Sequence, residues 1–394
     1  MLTNRQLFLL NTAQTSGTPR LLEVERAEGP YLFDPSGKAY LDLVSGFAVS
    51  NIGHRHPKVI SAIHEQLEKY LHVTVYGEFV QAPQVKFAEK LCTVLPEPLQ
   101  SVYFVNSGAE ATEGAMKLAK RYTGRSEIIS CHNSYHGSTQ GALSLMGNEY
   151  YKQAYRPLLP DIRFIHFNQI QDLNLITTKT AAVILETIQG EAGVRVPDPE
   201  YMLALRKRCD ETGTLLILDE IQTAFGRTGK FFAFEHYGII PDILLLAKGM
   251  GGGMPVGAFI SSRAIMDSLK DNPILGHITT FGGHPVSCAA GLATLNVILE
   301  ENLMDEVLEK EALFRKELVH PKIKEIRGWG LMLTIQLESF EQVETASRLC
   351  VERGVIIDWF LHCETALRLA PPLIITKEQI QEACGVIREV LDRN

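Results

Sequence analysis

The chain has 394 residues, 45% hydrophobic and 21% charged, as in a soluble globular protein large enough for more than one domain. Its 38 basic and 46 acidic residues leave a net charge of −8, scattered along the chain, which argues against a general nucleic-acid or membrane-surface binder. Seven widely spaced cysteines with no CxxC pair, no leader-like h-region and no run of the roughly 18 apolar residues that span a bilayer point to a reducing cytoplasm.

In chain order, YLFDPSGKAYLDLVSG (31–46) reads as a hairpin turning at Pro35-Ser36-Gly37. Five short apolar runs follow: SVYFV (101–105), EIIS (127–130), AAVIL (181–185), LLIL (215–218) and DILLL (242–246). They are continuous rather than alternating, as expected for strands of a parallel sheet covered on both faces. Between them lie helical stretches such as 109–122, stopping at Gly124, and 199–213. Beyond residue 285 come helices over 286–301 and 303–319 and a strand over 330–338. The expected fold is α/β, a large doubly wound, mostly parallel sheet with a smaller α+β domain built from both termini. Residues 1–50 are expected to join the small domain, 51–285 to form the large one, and 286–394 to complete the small one.

Four stretches carry candidate chemistry. In VYFVNSGAEATEGAMKLA a strand ends, Asn106-Ser107-Gly108 turns, and a helix starts near Ala109. Unpaired N–H groups and the positive dipole end there suit a phosphate, although an ordinary serine N-cap has the same pattern. In LLILDEIQTAFGRTGK a strand delivers Asp219 and Glu220 to its carboxyl end, where open α/β sheets bind ligands. An acidic pair there needs a protonated ring nitrogen, a metal or solvent as its partner. In LLLAKGMGGGMPVG (244–257) an apolar run delivers Lys248 and then a run of glycines, which leave room for a flat cofactor. A partly desolvated lysine has a lowered pKa and can form a Schiff base. Lys248 follows Asp219 by 29 residues, one loop–helix–strand unit, so both can reach one sheet edge. In NSYHGS (133–138) Tyr135 offers a flat face for stacking, or is simply half-buried. His54 and His56 lack a carboxylate at a familiar metal spacing, there is no HExxH, and no GxSxG elbow is present.

A phosphate cradle, a stacking aromatic, an acid for a ring nitrogen and a Schiff-base lysine are together the requirements of pyridoxal 5′-phosphate. The sequence resembles the class III, or ω-, aminotransferases, most closely the acetylornithine, ornithine and 4-aminobutyrate group. The resemblance runs from SGFAVSNIGHRHP (45–57) to LRLAPPL (367–373), and DEIQTAFGRTG with PDILLLAKGMGGGMPVGA is its most specific part.

The resemblance implies a fold-type I pyridoxal-phosphate enzyme. Lys248 would be the Schiff-base residue and proton shuttle. Asp219 would pair with the ring nitrogen and Gln222 approach the ring hydroxyl. Ser107, Gly108 and Ala109 would hold the phosphate, the last without the hydroxyl of a threonine common there. Tyr135 would stack on the ring, and Glu186 in ETIQGEAG would stand at the cofactor. Thr280 in HITTFGGHP would reach the phosphate across a homodimer with shared sites. Arg368 would bind a substrate carboxylate, with Glu191 as its alternative partner when an ω-amine is bound. Ser138 stands where many relatives have an arginine, His284 where they have asparagine, and Phe47 lies near the substrate.

The implied reaction moves an amino group from an ω-amine or amino acid to a 2-oxo acid, 2-oxoglutarate being the expected one, by ping-pong steps. Racemases, an aminomutase and a decarboxylase share these motifs and stand as the alternative.

Overall fold

The computed structural model describes residues 2–393. After a helix, Asn4–Asn11, a strand β1 (Arg26–Glu28) leads into the expected hairpin of β2 (Tyr31–Phe33) and β3 (Ala39–Asp42), and all three run antiparallel. Asp34 makes the turn by accepting from the backbone N–H of Ser36 and Lys38.

Seven strands form the large sheet: β4 (Ser101–Val105), β5 (Glu127–Cys131), β6 (Ile162–Ile165), β7 (Thr180–Glu186), β8 (Leu215–Asp219), β9 (Ile243–Leu246) and β10 (Gly257–Ser261). Their order is β4-β10-β9-β8-β7-β5-β6. All pairs are parallel except those of β10, antiparallel to both β4 and β9. The five expected strands are present; β6 and β10 are additional. β6 lies at an edge and is only partly buried, and β10 follows a glycine-rich loop with a glycine and a serine of its own. Neither has the long apolar run that marks the others.

Strand alternation explains why the central runs are apolar throughout. Ile217, Ile243 and Leu245 point into a core with Ala115, Leu118 and Ala119 of the helix Gly108–Thr123. Leu216, Leu218, Leu244 and Leu246 point the other way, into a core with Met202 and Leu205 of the helix Pro199–Thr212. The helix Pro285–Glu300, grouped with the C-terminal unit by the sequence reading, buries Cys288, Leu295 and Ile298 in this second core.

The remaining strands are β11 (Glu325–Trp329), β12 (Met332–Gln336), β13 (Val355–Ile356), β14 (Asp358–Trp359) and β15 (Ala366–Leu369). One small sheet has the order β11-β12-β15-β14, and β13 joins β3 in the N-terminal sheet, pairing Val355 with Leu41. Leu41 and Leu43 share a core with Phe314, Leu333, Leu367 and Ile387, so both ends of the chain build this unit. The helix expected over 303–319 is shorter, Val307–Glu317. No described helix is long and apolar enough to cross a membrane.

Arg227, fully buried, ties three distant motifs together. It donates to Asn51 Oδ1 at 2.6 Å, to the Leu331 carbonyl at 3.0 Å and to the Pro371 carbonyl. Burial pulls its pKa down to about 9, so three fixed acceptors are needed to hold the charge. The arginine in the GRTG motif is therefore structural.

Candidate active site

A cavity of about 410 Å³ opens at the carboxyl ends of β4, β5, β7, β8 and β9. It is lined by Ser107, Gly108, Ala109, Tyr135, His136, Ser138, Glu186, Asp219, Gln222 and Lys248, among others. Ser107 caps the helix Gly108–Thr123, its Oγ accepting from the Glu110 N–H at 3.2 Å. It is thus both an N-cap and a cavity residue. Glu110 in turn accepts from the N–H and side-chain amide of Asn106, which fixes the turn before the helix.

Asp219 ends β8, where it is paired with Glu186 on β7 and Leu245 on β9. Its Oδ2 lies 2.7 Å from His136 Nδ1, and its Oδ1 accepts from the Ile221 N–H at 3.0 Å. Nothing in NSYHGS (133–138) by itself marks His136 as the partner of Asp219. The only available signal was the need of a buried carboxylate for a donor.

Glu220 turns the other way. Its carboxylate accepts from the backbone of Ala233 and Phe234, each at 2.7 Å, and from the Thr187 hydroxyl at 3.0 Å. Burial pushes it up to about 7 against those donors. Only one member of the acidic pair therefore faces the cavity.

Lys248 begins the turn after β9 with φ of +47°, a left-handed conformation that a lysine adopts only where its surroundings impose it. Burial lowers its pKa, with Glu191, Asp219 and Glu186 opposing the effect. The glycines that follow mostly make room for protein rather than for a flat cofactor. A Cβ on Gly249 would lie 2.8 Å from the Asn51 amide, and one on Gly252 would strike Thr294. Gly253 alone among them lines the cavity.

Glu186 accepts from the Tyr135 N–H at 3.0 Å and the Gly190 N–H at 2.7 Å. Burial pushes its pKa up to about 7, Asp219 adding to the effect and His136 opposing it. The Tyr135 hydroxyl meets Ser138 Oγ at 3.1 Å.

Glu191 and Arg368 form a buried ion pair at 2.6 Å, and Gln222 Nε2 donates to the same carboxylate at 3.2 Å. Burial alone would raise the Glu191 pKa, but the Arg368 guanidinium, Lys248 and the Leu361 N–H together outweigh it and hold it at about 2. Arg368 Nε and Nη1 are buried and have no hydrogen-bond partner among the described residues. The rings of Phe47 and Phe360 flank the guanidinium, their centroids 4.9 and 4.5 Å from its carbon. Phe47 belongs to a left-handed turn, Ser45 to Ala48, with φ between +52° and +64°. Thr280 is exposed and outside the cavity of its own chain.

The family model for class-III aminotransferases matches residues 12–391. The chain belongs to the class-III aminotransferases. This aminotransferase is 41% identical over 375 residues to the acetylornithine aminotransferase of Methanocaldococcus jannaschii, covering 92% of each chain. It is 40% identical over 387 residues to the putrescine aminotransferase of Pectobacterium atrosepticum, covering 93% of this chain and 82% of that one. Its fold superposes on an ornithine aminotransferase of Toxoplasma gondii with a TM-score of 0.90 and 30% identity, covering 99% and 94% of the two chains. That crystal structure contains partially occupied pyridoxal phosphate at its active site.

Proposed function

We propose that this aminotransferase uses pyridoxal 5′-phosphate to move an amino group from an ω-amine or amino acid to a 2-oxo acid, with 2-oxoglutarate as acceptor. The donor belongs to the acetylornithine, ornithine, 4-aminobutyrate or diamine class, and the two half-reactions alternate in ping-pong order. The observation that carries the reading is a desolvated Lys248 and a buried Asp219 in one cavity with an open helix N-terminus.

The residues present suit the cofactor. The N-terminus at Ser107-Gly108-Ala109 is a phosphate cradle, and a Cβ on Gly108 would come within 2.7 Å of Ile221 and crowd it. Tyr135 supplies an aromatic face, and Asp219 a fixed negative charge for a protonated ring nitrogen. When bound, the cofactor supplies an electron sink for the charge left on the substrate carbon.

The chain's own groups do the rest. Lys248 Nζ, made less basic by burial, takes the proton from the substrate carbon that carries nitrogen. His136 holds the Asp219 carboxylate in place. Glu186 pins the Tyr135 and Gly190 backbones, which would hold the Tyr135 ring ready for the cofactor. Arg368 takes the carboxylate of glutamate or 2-oxoglutarate once Glu191 withdraws. When an ω-amine is bound, Glu191 returns and neutralises the buried guanidinium.

The charged side chains lining the cavity are Lys248, Glu186 and Asp219, and Ser138 adds no cation. Ser138 therefore leaves the far carboxylate of a donor without a cation other than Lys248 in this lining. The reading includes a homodimer in the cytoplasm, with Thr280 serving the partner's phosphate. Exposed Ile274, Leu275, Ile278 and Phe281 around Thr280 support it.

The test is a half-reaction. The purified holoenzyme is mixed with L-glutamate alone and the cofactor absorption followed. Conversion to the pyridoxamine form supports the reading; an unchanged spectrum with glutamate and with each candidate amine overturns it.

A further inference from the structure

Glu191 sits at the tip of a tight turn closed by a bridge between Gln189 and Arg195, whose backbones exchange hydrogen bonds of 3.0 and 2.9 Å. A second segment, residues 361–363, seats it. The Leu361 N–H donates to Glu191 Oε2 at 3.2 Å, and the His362 N–H to the Glu191 carbonyl at 3.0 Å.

Arg327 of β11 stands behind both segments. It lies outside the active-site cavity and makes no hydrogen bond to Arg368. Its Nε donates to the Gly193 carbonyl at 2.5 Å, on the turn that carries Glu191. Its Nη2 lies 3.3 Å from Cys363 Sγ, on the seating segment, and donates to Gln336 Oε1 of β12 at 3.0 Å. Its Nη1 pairs with Glu325 at 3.0 Å. One rigid planar fork therefore ties the turn, its seat and the small sheet together.

Gly193 sharpens the point. Its φ is +85°, and an added Cβ would lie 2.6 Å from Arg327 Nη2 and 2.7 Å from Cys363 Sγ. The turn meets the fork at a distance that only glycine permits.

We infer that Arg327 is a positioning residue for Glu191, and that it sets how readily the Glu191–Arg368 pair opens to admit a dicarboxylate. The inference rests on the proposed alternation of two substrates at Arg368. Two states are in balance: closed, with Glu191 on Arg368, for the amine; open, for glutamate or 2-oxoglutarate. Arg327 anchors both sides of the Glu191 seat as it stands in the closed state. Its loss destabilises that state more than the open one and shifts the balance by their difference.

The experiment measures kcat/KM for each half-reaction in holoenzyme carrying Arg327→Gln, Arg327→Lys or Glu191→Gln. The probes are L-glutamate and whichever of N-acetylornithine and putrescine the parent enzyme converts. Arg327→Gln is expected to raise the glutamate-to-amine ratio roughly tenfold, mostly through the amine KM, with the cofactor spectrum unchanged. Arg327→Lys, which keeps the charge but not the fork, is expected to shift the ratio in the same direction and provides the reading if Arg327→Gln does not fold. Glu191→Gln serves as the reference for the switch itself. If it shifts the ratio while both Arg327 variants slow the two half-reactions equally, or neither, Arg327 is only structural and the inference is overturned. If Glu191→Gln leaves the ratio unchanged, the alternation at Arg368 fails and the inference falls with it.

Discussion

His136 Nδ1 lies 2.7 Å from Asp219 Oδ2, and both side chains are buried in the lining of the candidate active-site cavity. The contact fixes which way the carboxylate faces. His136→Leu is expected to leave Asp219 short of a donor, at a cost of about 1–3 kcal/mol, read as cofactor affinity roughly ten- to a hundredfold weaker. His136→Asn, which can still donate, should recover part of the loss. Fluorescence titration of cofactor-free protein checks both, and equal affinity in all three proteins would contradict the role.

Lys248→Ala is expected to fold normally and to abolish turnover. In the cofactor-free parent the lowered Lys248 pKa has a consequence for pH. The neutral amine is the reactive form, so the rate of reaction with pyridoxal phosphate should rise with pH and level off below the ordinary lysine value of 10.5. Stopped-flow rates across the alkaline range test this. A plateau only at or above 10.5 would mean an unperturbed lysine.

Arg368→Lys is expected to lower kcat/KM for glutamate by roughly ten- to a hundredfold, since a lysine cannot offer two parallel donors to a carboxylate. A simple amine should be affected far less. Arg368→Ala is a poorer probe, because it strands Glu191 as a buried unpaired charge at about 3–5 kcal/mol. Equal losses for glutamate and amine in the lysine variant would assign Arg368 to structure alone.

Glu191 also marks the acid limb of stability. Its folded pKa is depressed to about 2 from an ordinary 4.5. A depressed acid contributes stability that is complete above its unfolded pKa and is lost as pH falls through the folded one. The parent should therefore be more stable than Glu191→Gln at neutral pH, and the two should converge as pH drops from about 4.5 toward 2. Urea midpoints at a series of pH values give the difference, and a constant gap would show that the ion pair is not its source.

Thr280 can be tested by complementation. Thr280→Ala alone should weaken cofactor binding roughly tenfold, the loss of about one hydrogen bond to an anion. Refolded with Lys248→Ala subunits, the mixed dimer should regain one site of parental affinity and rate, because that site combines a native Lys248 with a native Thr280. Recovery of nothing would place Thr280 outside the partner's site.

Much of the site was legible in the amino-acid order. The buried runs ending at Leu218 and Leu246 mark central strands, because a strand covered on both faces needs apolar residues at every position, and the run ending at Val105 marks a strand at the sheet's edge. Strands laid parallel bring their carboxyl ends to one edge, so Ser107, Asp219 and Lys248 converge on one cavity. The order of residues did not reveal which side chains would meet. His136 reaches Asp219 across 83 residues. Glu220, adjacent to Asp219, faces the opposite way and binds backbone at Ala233 and Phe234. Gly249 is small because Asn51 lies against it, and Arg327 reaches Gly193 from a strand 134 residues away. Continuous apolar runs marked five of the seven large-sheet strands and the edge at which their ends gather. Partner choice among buried polar groups depends on which distant segments packing brings within hydrogen-bond reach, and that was decided only by the tertiary structure.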